Sequence, residues 1–462
     1  MSEQGLAAAR TAMQADGAPA EAIEVFAQHY RAVEQGASGL ISEADIDPLG
    51  DLPELAGLDV PPDVMGAALR RTVVIKLNGG LGTSMGLDAA KSLLPVKNGR
   101  SFLDIIVGQV LSLRRRHQVP LPLVFMNSFR TRDDTRRVLS GYPELAVDGI
   151  PQDFLQNREP KVRVDDLEPV HWPADPQLAW CPPGHGDIYP ALRGSGLLGR
   201  LLDQGYRYAF VSNSDNLGAV VDARIAGWVA QQQLPFVMES CRRTPADRKG
   251  GHLAVRRSDG RLILRETAQT SPADMESLQD LSRHRFCNTN NIWIDLQALA
   301  DTLDAAGGVL DLPLIRNEKT VDPSDPGSPK VIQLESAMGA AVQCFAGARS
   351  LLVERNRFVP VKTTNDLLVL RSDAYVLDAD STLAPAPSRA GRGDPFVDLD
   401  ATYYKLLPQF DRRFPEGPVS LADCDSFVVR GDVTFGPAVV ARGAVEVAAA
   451  QPLSIAAGTT LS

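Results

Sequence analysis

The sequence predicts an α/β fold, a sheet covered by helices, followed by a smaller all-β part at the C-terminus. Three observations lead there. A lead-in of helical period opens the chain, short β-rich runs then alternate with longer helical patterns from about residue 70 to about 380, and the last stretch loses helical period altogether. In order, residues 5–35 are alanine-rich with Ile23, Phe26 and Tyr30 at helical spacing, which predicts an amphipathic helical segment for packing. Asp45 to Pro53, rich in Asp and Pro, reads as a connector. The β-rich runs are Val73–Leu77, Leu121–Met126, Tyr208–Ser212 and Leu367–Leu370, and their alternation with helices argues for a mostly parallel sheet. Ligands of such sheets sit outside the carboxyl ends of the strands. The Pro/Gly/Ala stretch Leu383–Pro395 marks a domain boundary. From Phe427, short β-branched pieces separated by Gly and Pro predict coils of a left-handed parallel β-helix, with a small β meander as the alternative. The expected division is 1–52 helical, 53–385 main domain and 386–462 C-terminal domain.

Composition removes several classes. A net charge of -10 leaves no electrostatic footprint for nucleic acid, and basic runs such as Arg114-Arg115-Arg116 read as a solvated helix face. Cys181, Cys241, Cys287, Cys344 and Cys424 are scattered, with no C-x-x-C pair and no disulfide framework, which fits a reducing compartment. No basic start leads into an apolar stretch, and no run reaches the ~18 apolar residues of a membrane helix. The expectation is a cytoplasmic protein with no membrane and no nucleic-acid partner.

Four segments can carry chemistry. Leu77-Asn78-Gly79-Gly80-Leu81-Gly82-Thr83-Ser84-Met85-Gly86 follows the first strand, with Lys91 shortly after. Its glycines let the backbone approach a ligand and turn amides towards phosphate, although a tight strand-to-helix turn would look the same. It is not a P-loop, since Lys91 does not directly follow the last Gly. Nor is it a dinucleotide fingerprint, because Gly80-x-Gly82-x-x-x-Gly86 has one residue too many. Pro182-Pro183-Gly184-His185-Gly186-Asp187 fixes a loop that presents His and Asp to a polar ligand, or holds a structural His. Asn213 and Asp215 end an apolar strand, where a carboxylate can hold Mg²⁺ or simply close an Asx turn. Arg355, Arg357 and Lys362 beside an apolar run are costly to bury without anions, and phosphates are the expected partners.

These segments, in this order, together with Met126-Asn-Ser-Phe129, Lys249-Gly-Gly251, Asn288-Thr-Asn-Asn291, Leu334-Glu-Ser-Ala-Met-Gly339 and Arg357-Phe-Val-Pro-Val-Lys362, resemble the eukaryotic-type UTP–glucose-1-phosphate uridylyltransferases. The resemblance runs from about residue 40 to about 450 and implies a Rossmann-like, GT-A-like nucleotidyltransferase core with a mixed sheet. It implies that Leu77, Asn78, Gly79 and Gly80 bind UTP through backbone groups, that Gln156 reads the uracil edge and that Gly184 touches the nucleotide. His185 would meet the sugar phosphate, Asn213 the sugar and Asp215 the Mg²⁺, while Lys91 and Lys362 face the phosphates as the catalytic cations. Gly251, Asn290 and Glu335 are the further candidates for the glucose pocket.

The implied reaction joins UTP and glucose 1-phosphate into UDP-glucose and pyrophosphate, with Mg²⁺ as cofactor. Relatives that act on N-acetylated sugars tend to carry Arg where this chain has Ser84, and a non-catalytic sensor has no need of Lys91, Asp215 and Lys362 together. This chain also departs from the family: Leu87-Asp88-Ala89-Ala90 stands where Gly-Pro commonly precedes the lysine. The C-terminus ends about one β-helix strand early, so homo-oligomer contacts of the family's end-to-end kind are not expected to carry over unchanged.

Overall fold

Apolar side chains on both faces of Thr72–Asn78 make it the centre of the molecule. Val74 enters one core cluster with Phe125 and Phe210, and Val73 and Ile75 enter another with Val124 and Val211. Alternate side chains of a strand point to opposite faces, so a nearly continuous apolar run suits a strand covered on both sides. The structure, a computed structural model, describes residues 2–244, 247, 248 and 250–462. Lys249, part of the Lys-Gly-Gly match, lies outside the described residues.

The main sheet is 10-stranded among the described residues. Its longest path runs Ile46–Pro48, His252–Arg256, Phe286–Asp295, Tyr208–Asn213, Thr72–Asn78, Leu123–Asn127 and Asp153–Leu155. The expected parallel arrangement holds from Tyr208–Asn213 to Asp153–Leu155 and again where Phe236–Arg242 meets Arg349–Leu352. Between them, Phe286–Asp295 runs antiparallel to both Tyr208–Asn213 and Phe236–Arg242. His252–Arg256 and Leu262–Arg265 are joined by a short turn, which permits only antiparallel pairing. The sheet is therefore mixed.

Three local expectations are corrected. Leu367–Leu370 is not a strand but the middle of the helix Thr364–Arg371, which starts in a capping box between Thr363 and Asp366. That reciprocal bonding satisfies amides at the helix start, and it outweighs the strand preference of a short apolar run. The stretch read as a connector supplies Ile46–Pro48 to the sheet edge. Within the stretch read as a loop, Leu383–Pro385 pairs with Tyr375–Leu377. The N-terminal segment folds as two helices, Ser2–Ala15 and Ala20–Glu34. They bury Ala9, Met13, Phe26 and Tyr30 against Val162, Ile332 and Leu334. The last of these lie in a small sheet of Ile315–Thr320, Lys330–Glu335 and Val162–Arg163.

At the C-terminus, Phe396–Leu399, Ser420–Arg430, Val440–Ala448 and Thr460–Leu461 pair in parallel, and so do Val433–Phe435 and Leu453–Ile455. Phe427, Phe435 and Phe414 meet inside this stack, the last two with ring centroids 5.2 Å apart. No helix among the described residues is long and apolar enough to cross a membrane.

Candidate active site

The carboxyl ends of the parallel strands bring the glycine-rich loop, Gln156 and the Asn213–Asp215 turn to one edge. The loop's carbonyls are already engaged. Leu77 accepts from Ser214 N (3.0 Å), Asn78 from Thr131 Oγ1 (2.7 Å), Gly79 from Ser128 Oγ (3.0 Å) and Gly80 from Lys91 N (3.1 Å). Past the end of the paired strand, what Gly79 and Gly80 have to offer a ligand is backbone N–H, the right polarity for phosphate. Asn78's side chain is spent on structure, donating to Asn127 and Thr135. Gly82 and Gly86 have φ of 68° and 73°, the left-handed region that lets the loop turn back so that Lys91 lies beneath it.

Lys91 donates to Asp215 Oδ2 at 2.6 Å and also to the carbonyl of Val361. The other oxygen of Asp215, Oδ1, is buried with no partner among the described residues. Val361 N in turn donates to the Asp215 carbonyl (3.1 Å), so Lys91, Asp215 and the segment carrying Lys362 form one unit.

Facing them, Gln156 Nε2 donates to the Gly184 carbonyl at 2.9 Å, while a Cβ on Gly79 would come within 2.6 Å of Gln156 Oε1. Asp187 accepts from Asn157 N and Nδ2 at 2.7 and 2.8 Å and so ties the Gln156 segment to the His185 loop. Burial pushes the Asp187 carboxyl up to about 7 against those two bonds. The loop is locked to Ser336 through Gly186 N (2.8 Å) and Pro183 O (3.0 Å). Gly184 has φ 77°, and a Cβ there would sit 2.4 Å from the Ser336 carbonyl oxygen. Gly184→Ala is therefore expected to displace the loop, since backbone cannot yield as a side chain can. A fall in kcat/KM of ~10²-fold is the scale of a 1 Å misplacement; unchanged steady-state kinetics would refute the lock.

His185 Nδ1 accepts the Met338 N–H at 2.8 Å, so the neutral ring carries its proton on Nε2. Burial, then the Lys362 ammonium, lower its pKa to about 4. Lys362's charge also opposes the rise that burial imposes on Glu266, so the lysine acts electrostatically on both His185 and Glu266. A Cβ on Gly251 would meet Glu266 Oε2 at 2.4 Å. Asn213 Oδ1 accepts from Asn290 Nδ2 (3.0 Å), and Asn290 holds φ 59° with its Oδ1 buried and unpartnered. Glu335 is brought beside Gly184, but its carboxylate is turned to Asn317 (3.1 Å) and Lys319 (4.0 Å).

A family model described as UTP–glucose-1-phosphate uridylyltransferase matches residues 23–442. The chain belongs to that family. A barley (Hordeum vulgare) member is 40% identical over 390 residues, spanning 84% of this chain and 79% of its own. A potato (Solanum tuberosum) member is 38% identical, spanning 86% and 80%. A Trypanosoma brucei structure described as UDP-glucose phosphorylase shares 45% identity at TM-score 0.93 and covers 99% of this chain and 98% of its own. A Leishmania major UDP-glucose pyrophosphorylase variant, solved in complex with UDP-glucose, shares 43% at TM-score 0.93 with the same coverage.

One expectation about this uridylyltransferase-family site is corrected. The sequence predicts phosphate as the partner of Arg355 and Arg357, yet their anions are the protein's own carboxylates. Arg355 pairs with Asp247 at 2.7 Å and Arg357 with Glu239 at 2.6 Å. Glu239 is fully buried and also accepts from Trp293 Nε1 (2.9 Å) and Asn291 Nδ2 (3.1 Å). Lys76, buried in the central strand, donates to Ser212 Oγ and the Ala219 carbonyl, both at 2.8 Å. Burial, then Arg357's charge, lower its pKa to about 7. Sequence reasoning passed over Lys76, Glu239 and Glu266. The available signal was a charged residue inside an apolar strand in Val-Val-Ile-Lys-Leu and Phe-Val-Met-Glu.

Proposed function

We propose that the chain transfers the uridylyl group of UTP to glucose 1-phosphate, giving UDP-glucose and pyrophosphate reversibly, with Mg²⁺. The observation that carries this reading is the Lys91–Asp215 pair below the amide-presenting loop, with Asp215 Oδ1 left without a partner. The donor set fits a hard cation held through one carboxylate plus substrate phosphates, and no cluster of three or more metal-binding side chains exists among the described residues. Magnesium held there would offset charge on the phosphates as the α-phosphorus is attacked.

The nucleophile, a phosphate oxygen of glucose 1-phosphate, is already an anion, so no general base is needed. The protein's part is to position two polyanions and neutralise their repulsion. Lys91 exchanges its contact with Asp215 for a phosphate oxygen, and Lys362 approaches the phosphates from the other side. Gln156, with Nε2 anchored on Gly184, has Oε1 for the uracil edge. His185 donates from Nε2 to the sugar phosphate, and Asn213, Asn290, Gly251 and Glu335 line the glucose side. The parallel pairs Ser420 with Val440, Val440 with Thr460 and Val433 with Leu453 support a β-helix of left-handed coil at the C-terminus.

The test is pyrophosphate release from UTP and Mg²⁺ with glucose, galactose and N-acetylglucosamine 1-phosphates. Release with glucose 1-phosphate is expected, and its absence despite UTP binding would overturn the reading. A second check uses pH. His185 has a native pKa of about 4 against an ordinary 6.5, so the unfolded chain takes up a proton that the native ring refuses. Its contribution to stability is neutral above 6.5 and falls as pH drops from there towards 4. His185→Gln is expected to lose less stability than the native chain over that window in denaturant titrations, and equal losses would contradict it.

A further inference from the structure

Two thiols lie against each other on neighbouring strands beside the loop that ends at Gly251. Cys241, on Phe236–Arg242, and Cys287, on Phe286–Asp295, are Cα partners in the antiparallel register. Both are buried free thiols, and their Sγ atoms are 3.0 Å apart. Arg355 Nη1 lies 3.5 Å from Cys241 Sγ and 3.9 Å from Cys287 Sγ. The same guanidinium grips Asp247 at 2.7 and 2.9 Å.

The two sulfurs are not equivalent. The contact with the Cys287 thiol, and Arg355's charge beside it, hold Cys241 below the usual thiol range. The contact with Cys241, together with burial, pushes Cys287 well above it. A thiol with thiolate character next to a second thiol is the arrangement of a nucleophile and its resolving partner.

We propose that Cys241 and Cys287 form a reversible disulfide when the protein meets a hydroperoxide, and that the bond weakens binding of glucose 1-phosphate by loosening the hold of Asp247 on Thr244 and Gly250. The proposal rests on the reading of Gly251 as part of the sugar pocket. In the first step the Cys241 thiolate attacks one peroxide oxygen and the O–O bond breaks. Cys241 becomes a sulfenic acid, and the other oxygen leaves and takes up a proton as water. Cys287 sulfur then attacks Cys241 sulfur, the S–O bond breaks, and the departing hydroxide takes the Cys287 proton to give a second water. Two thiols lose two electrons and hydrogen peroxide gains them.

The route to the site is short. Closing the sulfurs from 3.0 Å to about 2.05 Å replaces thiols that face Arg355 with a neutral disulfide. Arg355 holds Asp247. The Asp247 carboxylate accepts from Thr244 N and Oγ1 at 2.9 and 2.8 Å, and its carbonyl accepts from Gly250 N at 2.8 Å. Asp247 therefore holds both Thr244 and Gly250, the residue before Gly251, which lies against Glu266.

The experiment treats the full chain with stoichiometric hydrogen peroxide and maps disulfide-linked peptides by mass spectrometry. KM values for UTP and glucose 1-phosphate are measured before oxidation, after it, and after dithiothreitol. Expected are a Cys241–Cys287 crosslink, a severalfold rise in KM for glucose 1-phosphate with little change for UTP, and recovery on reduction. Cys287→Ser, with Cys287→Ala as the second choice, should keep basal kinetics and lose the response, whereas Cys344→Ser should keep it. No such crosslink, a crosslink with unchanged KM, or a response that survives in Cys287→Ser would each overturn the proposal. The crosslink is read by mass and is independent of substrate, so its failure is distinguishable from failure of the sugar-nucleotide reading.

Discussion

Asp215→Ala is expected to leave the fold intact and to lower turnover by at least ~10³-fold, because charge stabilisation at a phosphoryl centre contributes several kcal/mol and each 1.36 kcal/mol is tenfold. The structure separates the two effects. Asp215 is partly exposed, with a side-chain accessibility of 22%, and its ion-pair partner, Lys91, keeps the Val361 carbonyl as an acceptor when the carboxylate is gone. The loss of stability should therefore stay near the ~1 kcal/mol of a partly exposed pair rather than the ~3–5 kcal/mol of a fully buried one. Asp215→Asn keeps the shape and removes the charge, so it should fall with Asp215→Ala in turnover while binding UTP within severalfold of the native chain. Mg²⁺-dependent turnover at the native level in either variant would refute the metal assignment. Lys91 gives the complementary result. With its carboxylate partner removed the lysine is freed for phosphate, so UTP affinity measured without Mg²⁺ should not drop.

How much of this was legible in the sequence depends on the distance between partners. The central strand and its glycine loop are local, and Val-Val-Ile-Lys-Leu-Asn-Gly-Gly announces both. Gln156 and Asp215 come from separate stretches, and they share one edge because each follows a strand of the parallel half, a rule of sheet topology rather than of sequence, while Gly184 is brought in by its bond from Gln156. The readings that failed needed long-range partners or a subtler local signal. Arg355 and Arg357 looked unpaired because Asp247 and Glu239 lie 108 and 118 residues away. Leu367–Leu370 looked like a strand because four apolar residues carry no period, although Thr363-x-x-Asp366 is a helix start written in the sequence itself. Strand alternation alone points to a mostly parallel sheet, and only the resemblance implies the mixed one that is found, for a related reason. In Phe286–Asp295 the opening Phe is followed by Cys, Asn and Thr, whose polar side chains serve internal hydrogen bonds such as that of Thr289 Oγ1 to the Glu239 carbonyl at 2.6 Å.

Glu239→Ala is expected to destabilise the protein by about 3–5 kcal/mol, the cost of leaving a buried charge without its partner. The Glu239 carboxylate, at zero exposure, accepts from Arg357 Nε (2.8 Å) and Nη2 (2.6 Å), from Trp293 and from Asn291. Its loss leaves Arg357 and Lys76 as neighbouring cations, so Lys76, already lowered to about 7, should surrender its proton more readily. The damage should also reach the site. The Arg357 carbonyl accepts from Asn216 Nδ2 (3.1 Å) and Asn291 Nδ2 (3.2 Å), and Asn216 Oδ1 accepts from Val359 N (2.9 Å). These bonds hold the segment bearing Lys362 against the turn bearing Asp215. A paired replacement, Glu239→Met with Arg357→Met, separates the two roles. Removing both charges should restore most of the stability in denaturant titrations, as apolar replacements of buried ion pairs often do, while kcat stays depressed because the segment has lost its anchor. Full recovery of kcat along with stability would show that the buried pair supports the fold alone and does not position the segment that bears Lys362.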